Sequence, residues 1–325
     1  MKRFILIILL FSSQLVHAQN IPAESLTRLK EIEAIIKPLA DSMINADEWL
    51  DRFMADSAFT KGFVQALKTP YSFNYKFDSI QNISKVYAPD SSFRIFTWQM
   101  MKDYTYYRQR GAIQMKTENG SLKLFPLFDY SDFAKNPIDS VRDARHWIGA
   151  IYYKVILKTY NNTNYYTLLG SDANNERSNK KWIEVLHFDS LGNPVFGGRF
   201  FQYPEDINKP KQPAFRYCVE YKKDGGVRVN YDPQYDIIIF DRLVGENGET
   251  NNKAELVPSG DYEGFKWSDG RWAYIPDPFA GTISNRTQNN LPEPLLDENG
   301  NRNQKKLMEK SKEVMDKQGK DATKP

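Results

Sequence analysis

The sequence predicts an α+β protein: a helical N-terminal subdomain packed on a large antiparallel β-meander, then a disordered polar tail. Three observations carry this. Apolar residues recur every three or four positions up to Lys68. From Tyr71 to Ile275 they recur every second position. After Pro276 the pattern fades. The domain boundaries that follow are 1–18, 19–70, 71–284 and 285–325.

Residues 1–18 read as a cleavable signal peptide. Lys2 and Arg3 precede the apolar run Phe4 to Phe11, and Val16-His17-Ala18 sets up cleavage before Gln19. The run is too short for a spanning helix and ends in Ser12-Ser13-Gln14. No later segment is apolar enough to cross a bilayer. The expected location is therefore outside the cytoplasm. Cys218 is the sole cysteine, so no internal disulfide can form and burial alone must stabilise the fold. The formal net charge of +3 drops further when the signal leaves, which gives no electrostatic case for nucleic acid.

In the helical part, Leu26, Leu29, Ile32, Ile36, Leu39 and Met43 share one face. Pro38 should kink or split that helix. Asn45 is a candidate cap for a second helix, with Trp49, Phe53 and Met54 as its apolar stripe. A third helix is expected over Phe59 to Lys68, ending before Pro70.

The β part begins with Phe93 to Trp98, Arg110 to Lys116 and Leu122 to Leu127. Trp147 to Tyr160 carries apolar residues on both faces and reads as a central strand. Tyr165 to Leu169, Trp182 to Phe188, Phe215 to Tyr221, Val227 to Tyr231 and Ile237 to Leu243 follow. Phe265 to Ile275 is the clearest hairpin, turning at Asp269-Gly270. A sandwich or a barrel fits this meander. A partial propeller is the alternative, although the Ala88 to Phe96 segment has no repeat at the propeller period. In the tail, Leu307, Met308, Val314 and Met315 are spaced for a short amphipathic helix, within otherwise polar sequence.

Candidate sites are sparse. Trp98, Tyr106, Tyr107 and Trp147 are the candidate ligand-binding residues: exposed aromatic faces stack on sugars, although rings on strands mostly face a core. Asp172, Asn174 and Glu176 alternate like the first half of a calcium loop. The sixth and twelfth positions hold Arg177 and Ile183 instead of glycine and glutamate, and a polar hairpin loop explains the same residues. No other cofactor is implied. Cys218 shares a strand face with Arg216, which could activate a thiol, but no base is placed beside it; an inert buried cysteine is the simpler reading. His146 and His187 are isolated. Nucleophile-elbow, phosphate-loop and dinucleotide motifs are absent.

Four phrases together resemble a group of uncharacterised secreted proteins of Bacteroidetes-type bacteria, over roughly residues 60–275. They are Phe93-Arg94-Ile95-Phe96-Thr97-Trp98, Arg110-Gly111-Ala112-Ile113-Gln114, Tyr166-Thr167-Leu168-Leu169-Gly170 and Lys181-Trp182-Ile183-Glu184-Val185-Leu186. The resemblance implies a Gram-negative envelope, periplasmic or outer-membrane associated, and no catalytic residue. The expected function is a non-enzymatic binding or structural module for glycan or protein. The alternative is a hydrolase using carboxylates on envelope or imported polysaccharide, which requires acids converging in one cleft.

Overall fold

The structure, a computed structural model, describes residues 21–103, 105–245 and 252–280. The signal-peptide and tail expectations lie outside the described residues. The fold is α+β: two helices pack on three stacked sheets, and no sheet closes into a barrel. None of the described helices is long and apolar enough to cross a membrane.

Helix α1 spans Ala23–Asn45 and α2 spans Trp49–Lys68. Pro38 sits inside α1 without breaking it, on the exposed side of the helix. Asn45 ends α1 rather than capping α2, and the two later helices expected from the sequence are one. The helices pack closely at Gly62, where a β-carbon would run into the Ile36 side chain.

Among the described residues fifteen strands follow: β1 Ser84–Tyr87, β2 Phe93–Asp103, β3 Tyr106–Met115, β4 Lys123–Phe128, β5 Arg142–Asp143, β6 Ile151–Tyr160, β7 Thr163–Asp172, β8 Ser178–Phe188, β9 Pro194–Phe196, β10 Phe201–Gln202, β11 Tyr217–Lys222, β12 Val229–Asp232, β13 Ile237–Gly245, β14 Leu256–Ser268 and β15 Arg271–Ile275. The first sheet is β1-β2-β3-β4. The middle sheet is β5-β9-β8-β7-β6, with β11 also on β8. The third is β10-β15-β14-β13-β12. Pairing is antiparallel except for β10 with β15. Asp269 and Gly270 both take positive φ, the geometry of the two-residue turn read from the sequence. The segment expected to be a central strand becomes β6, which ends the order of the middle sheet. Its residues are apolar on both sides because layers stack on both faces, not because strands flank it.

Strand alternation supplies the layers. On β2, Phe96 and Trp98 face the helices, in a core with Phe59, Phe63 and Phe77. Phe93 and Ile95 point the other way, toward Tyr152, Leu168 and Trp182 of the middle sheet. The far face of the middle sheet, with Ile183, Val185 and Tyr217, meets Ile238, Phe240, Phe265 and Trp272 of the third. The middle sheet is thus covered on both faces.

Candidate functional site

The four aromatics considered as a binding platform do not meet, which corrects that expectation. Trp98 and Trp147 are buried in two different cores. Trp147 precedes β6, away from the β2–β3 hairpin that carries the other three, and the two-residue period of strands divides those three. Trp98 is opposite Arg110 across β2 and β3, so Tyr106 shares its face, and Tyr107 takes the other. Trp98 donates from Nε1 to Asp56 (2.9 Å), and Tyr106 donates to Asp132 (2.8 Å). Tyr107 lies beneath the Lys223 ammonium at 4.8 Å.

The calcium reading meets a loop whose oxygens are already engaged. Asp172 accepts from Gln109 Nε2 and from the Asn174 backbone N–H. The Asn174 side-chain oxygen accepts from Lys180 Nζ at 2.7 Å, and Lys223 Nζ donates to the Ala173 carbonyl. Two lysines thus supply the positive charge of this β7–β8 loop, and Glu176 points to solvent. The described residues hold no cluster of three or more His, Cys, Asp or Glu suited to a metal ion.

Buried charge is paired within the middle sheet. Arg216 Nε donates to Glu184 at 2.6 Å, both side chains being almost fully buried. Tyr152 donates to the second Glu184 oxygen and accepts from Trp147 Nε1. Arg216 is therefore committed to Glu184 and to the carbonyls of Ser140 and Phe196. It does not activate Cys218, whose thiol burial pushes up to about 12. Such a thiol is protonated at neutral pH. Burial also keeps His187 below the usual imidazole range, while His146 bonds the exposed Asp143. Burial raises the Asp172 carboxyl. Gln109 links it to Asp129, but each carboxylate is taken up by hydrogen bonds, Asp129 by Ser131 and the Gln109 N–H.

The feature sequence reasoning missed is on α2. Its first two turns bury two charged residues and expose four large apolar ones. Arg52 and Asp56 face inward, whereas Trp49, Leu50, Phe53 and Met54 are 48%, 51%, 38% and 61% exposed. The inward charges are satisfied. Arg52 donates to the carbonyls of Ala46, Asp47, Met101 and Lys102, at 2.5 to 3.0 Å. Asp56 holds Trp98 and pairs with Arg110 at 2.5 Å. These bonds fix the start of α2 to the β2–β3 hairpin and turn its apolar stripe outward. The exposed Asp47, Glu48 and Asp51 border that ridge, at the helix end where acids are favoured. Four large apolar side chains thus lie next to one another on the exposed side of the helix. The sequence signal was present: polar Arg52 and Asp56 fall on the same helical face as Phe59 and Phe63.

A scan against protein-family models gives no match, and searches of the curated proteins and of the solved structures give none either.

Proposed function

We propose that this protein is an exported, non-enzymatic binding module of the cell envelope that docks another protein through the α2 ridge. One observation carries the reading: the reversed amphipathicity of Trp49–Asp56, with Arg52 and Asp56 inside and four large apolar side chains outside. A helix that followed the usual pattern would bury those side chains. The pattern has a purpose if a partner covers them. The bordering acids select the partner's chemistry: an apolar groove rimmed by Lys or Arg. They disfavour an anionic lipid surface. They also disfavour a second copy laid antiparallel across the ridge centre, which would set Asp51 against Asp51. The leader-like pattern of residues 1–18 supports export.

The test is site-specific photo-crosslinking in the native envelope. A crosslinker at Phe53 is expected to capture one dominant protein, with yield falling as salt rises. The same group at Leu191, 82% exposed, serves as the control for general hydrophobic exposure. Equal capture patterns from the two positions would sink the proposal. Fractionation and mass spectrometry of the mature N-terminus check the export step, with Gln19 as the expected first residue.

A further inference from the structure

At one end of the core shared by the middle and third sheets, two hairpin tips meet. One turns at Asn161 and Asn162 between β6 and β7, the other at Asp269 and Gly270 between β14 and β15. A β-carbon on Gly270 would run into the Tyr160 ring, so the tips touch.

This end is built of aromatic rings. Strand alternation aims Tyr160, Tyr165 and His187 of the middle sheet toward the third, which contributes Trp267. Phe200, from the segment between β9 and β10, completes the group. The Tyr165 ring centre lies 5.2 Å from that of Phe200 and 6.0 Å from those of His187 and Trp267. Deeper along the same strands Ile156, Val185 and Phe265 are almost fully buried. At the end itself the rings are half-buried, and Tyr160 is 39% exposed. A strand end that meets water ordinarily carries polar side chains.

The polar tips of these rings are open. Buried Trp272, which packs on Trp267, donates from Nε1 to the Thr167 hydroxyl at 2.8 Å. Elsewhere Tyr152, Tyr166 and Tyr203 donate to Glu184, Asp90 and the Pro210 carbonyl. Trp267 Nε1 and the hydroxyls of Tyr160 and Tyr165 have no hydrogen-bond partner among the described residues, and none of the three is buried away from solvent. The group includes no carboxylate, ammonium or guanidinium, and burial keeps His187 below the usual imidazole range. It is therefore uncharged at neutral pH.

These properties discriminate between ligand classes. An aliphatic surface laid on the rings would cover three polar tips and leave them unpaired, which is costly. A charged ligand finds no counter-charge in the group. A pyranose meets both demands: its C–H face stacks on the rings, and its hydroxyls donate and accept at their tips. We propose that this aromatic end binds a neutral pyranose glycan, stacked on Tyr160 and Trp267, with hydroxyls bonded to Trp267 Nε1 and the Tyr165 hydroxyl. The argument does not depend on the α2 ridge.

The experiment is affinity electrophoresis and calorimetric titration of the full chain with laminarin, amylopectin, xyloglucan and galactomannan. Alginate and chitosan are the charged controls. At least one neutral polymer is expected to bind, and both controls at least tenfold more weakly. Tyr160→Ala and Trp267→Ala should each weaken that polymer at least tenfold. Tyr165→Phe, which removes only the hydroxyl, should weaken it at least threefold. The thermal midpoints of Tyr160→Ala and Tyr165→Phe should stay within a few degrees of the wild type. Trp49→Ser/Phe53→Ser should bind the polymer as the wild type does. The proposal is overturned if no neutral polymer binds, if either charged polymer binds tighter, or if Tyr160→Ala and Tyr165→Phe both bind as the wild type does. Should Trp267→Ala fail to fold, the Tyr160→Ala result decides.

Discussion

Glu184 and Arg216 show how much one residue decides. Their pair lies in the middle sheet, with every strong donor and acceptor engaged by Tyr152, Trp147 and backbone carbonyls. Removing one partner strands the other charge without water. Glu184→Gln is therefore expected to cost about 3–5 kcal/mol, read from the urea midpoint. A loss below about 1 kcal/mol would mean that solvent reaches Arg216. Cys218 gives a second expectation at this scale. Its side chain is only partly buried, but its thiol is held near 12, so at pH 8 it should react with a disulfide reagent far more slowly in the native protein than after denaturant is added. Rapid labelling of the native protein would contradict the packing described above.

At the scale of the element, α2 separates two kinds of aromatic residue. Phe59 and Phe63 are fully buried and pack on Phe96 and Trp98 in edge-to-face contacts. Phe59→Ala should cost about 3–5 kcal/mol. Phe53→Ser and Met54→Ser should each stay within about 0.5 kcal/mol, since nothing of the core is lost. Equal losses in thermal or urea unfolding would place Phe53 in the core and remove the ridge. This helix also marks where sequence reasoning stops. The hairpin at Asp269-Gly270 is legible because its cause lies within two residues. The orientation of α2 is not, because Arg52 faces inward only by virtue of carbonyls from Met101 and Lys102, about fifty positions away. The Lys209–Glu263 ion pair depends in the same way on a fold that sets residues 54 positions apart side by side. Strand existence was readable from period two; which face meets which sheet was not.

At the scale of the molecule, the aromatic richness of a chain without disulfides sets its response to alkali. Burial raises the hydroxyls of Tyr152, Tyr203 and Tyr217 and the Cys218 thiol. The folded state therefore keeps protons that the unfolded chain gives up from its ordinary 9.0 for cysteine and 10.0 for tyrosine. Between those values and the higher folded ones the native state binds more protons, so stability must fall as pH rises. Urea midpoints should decline steadily from pH 9 to pH 12, and tyrosinate absorbance should appear together with unfolding. A flat profile over that interval would contradict the burial of these rings.

The middle sheet has a consequence for dissecting the protein. It comes from residues 142–222, while its two coverings come from earlier and later in the chain. A fragment ending after β11 would leave Ile183, Val185 and Tyr217 bare to water. One starting at β5 would do the same to Leu168 and Trp182. Neither half should be recoverable as a well-behaved monomer, and removing the helices would bare Phe96 and Trp98 in the same way, so a shortened version for binding studies has to keep everything from Ala23 to Ile275.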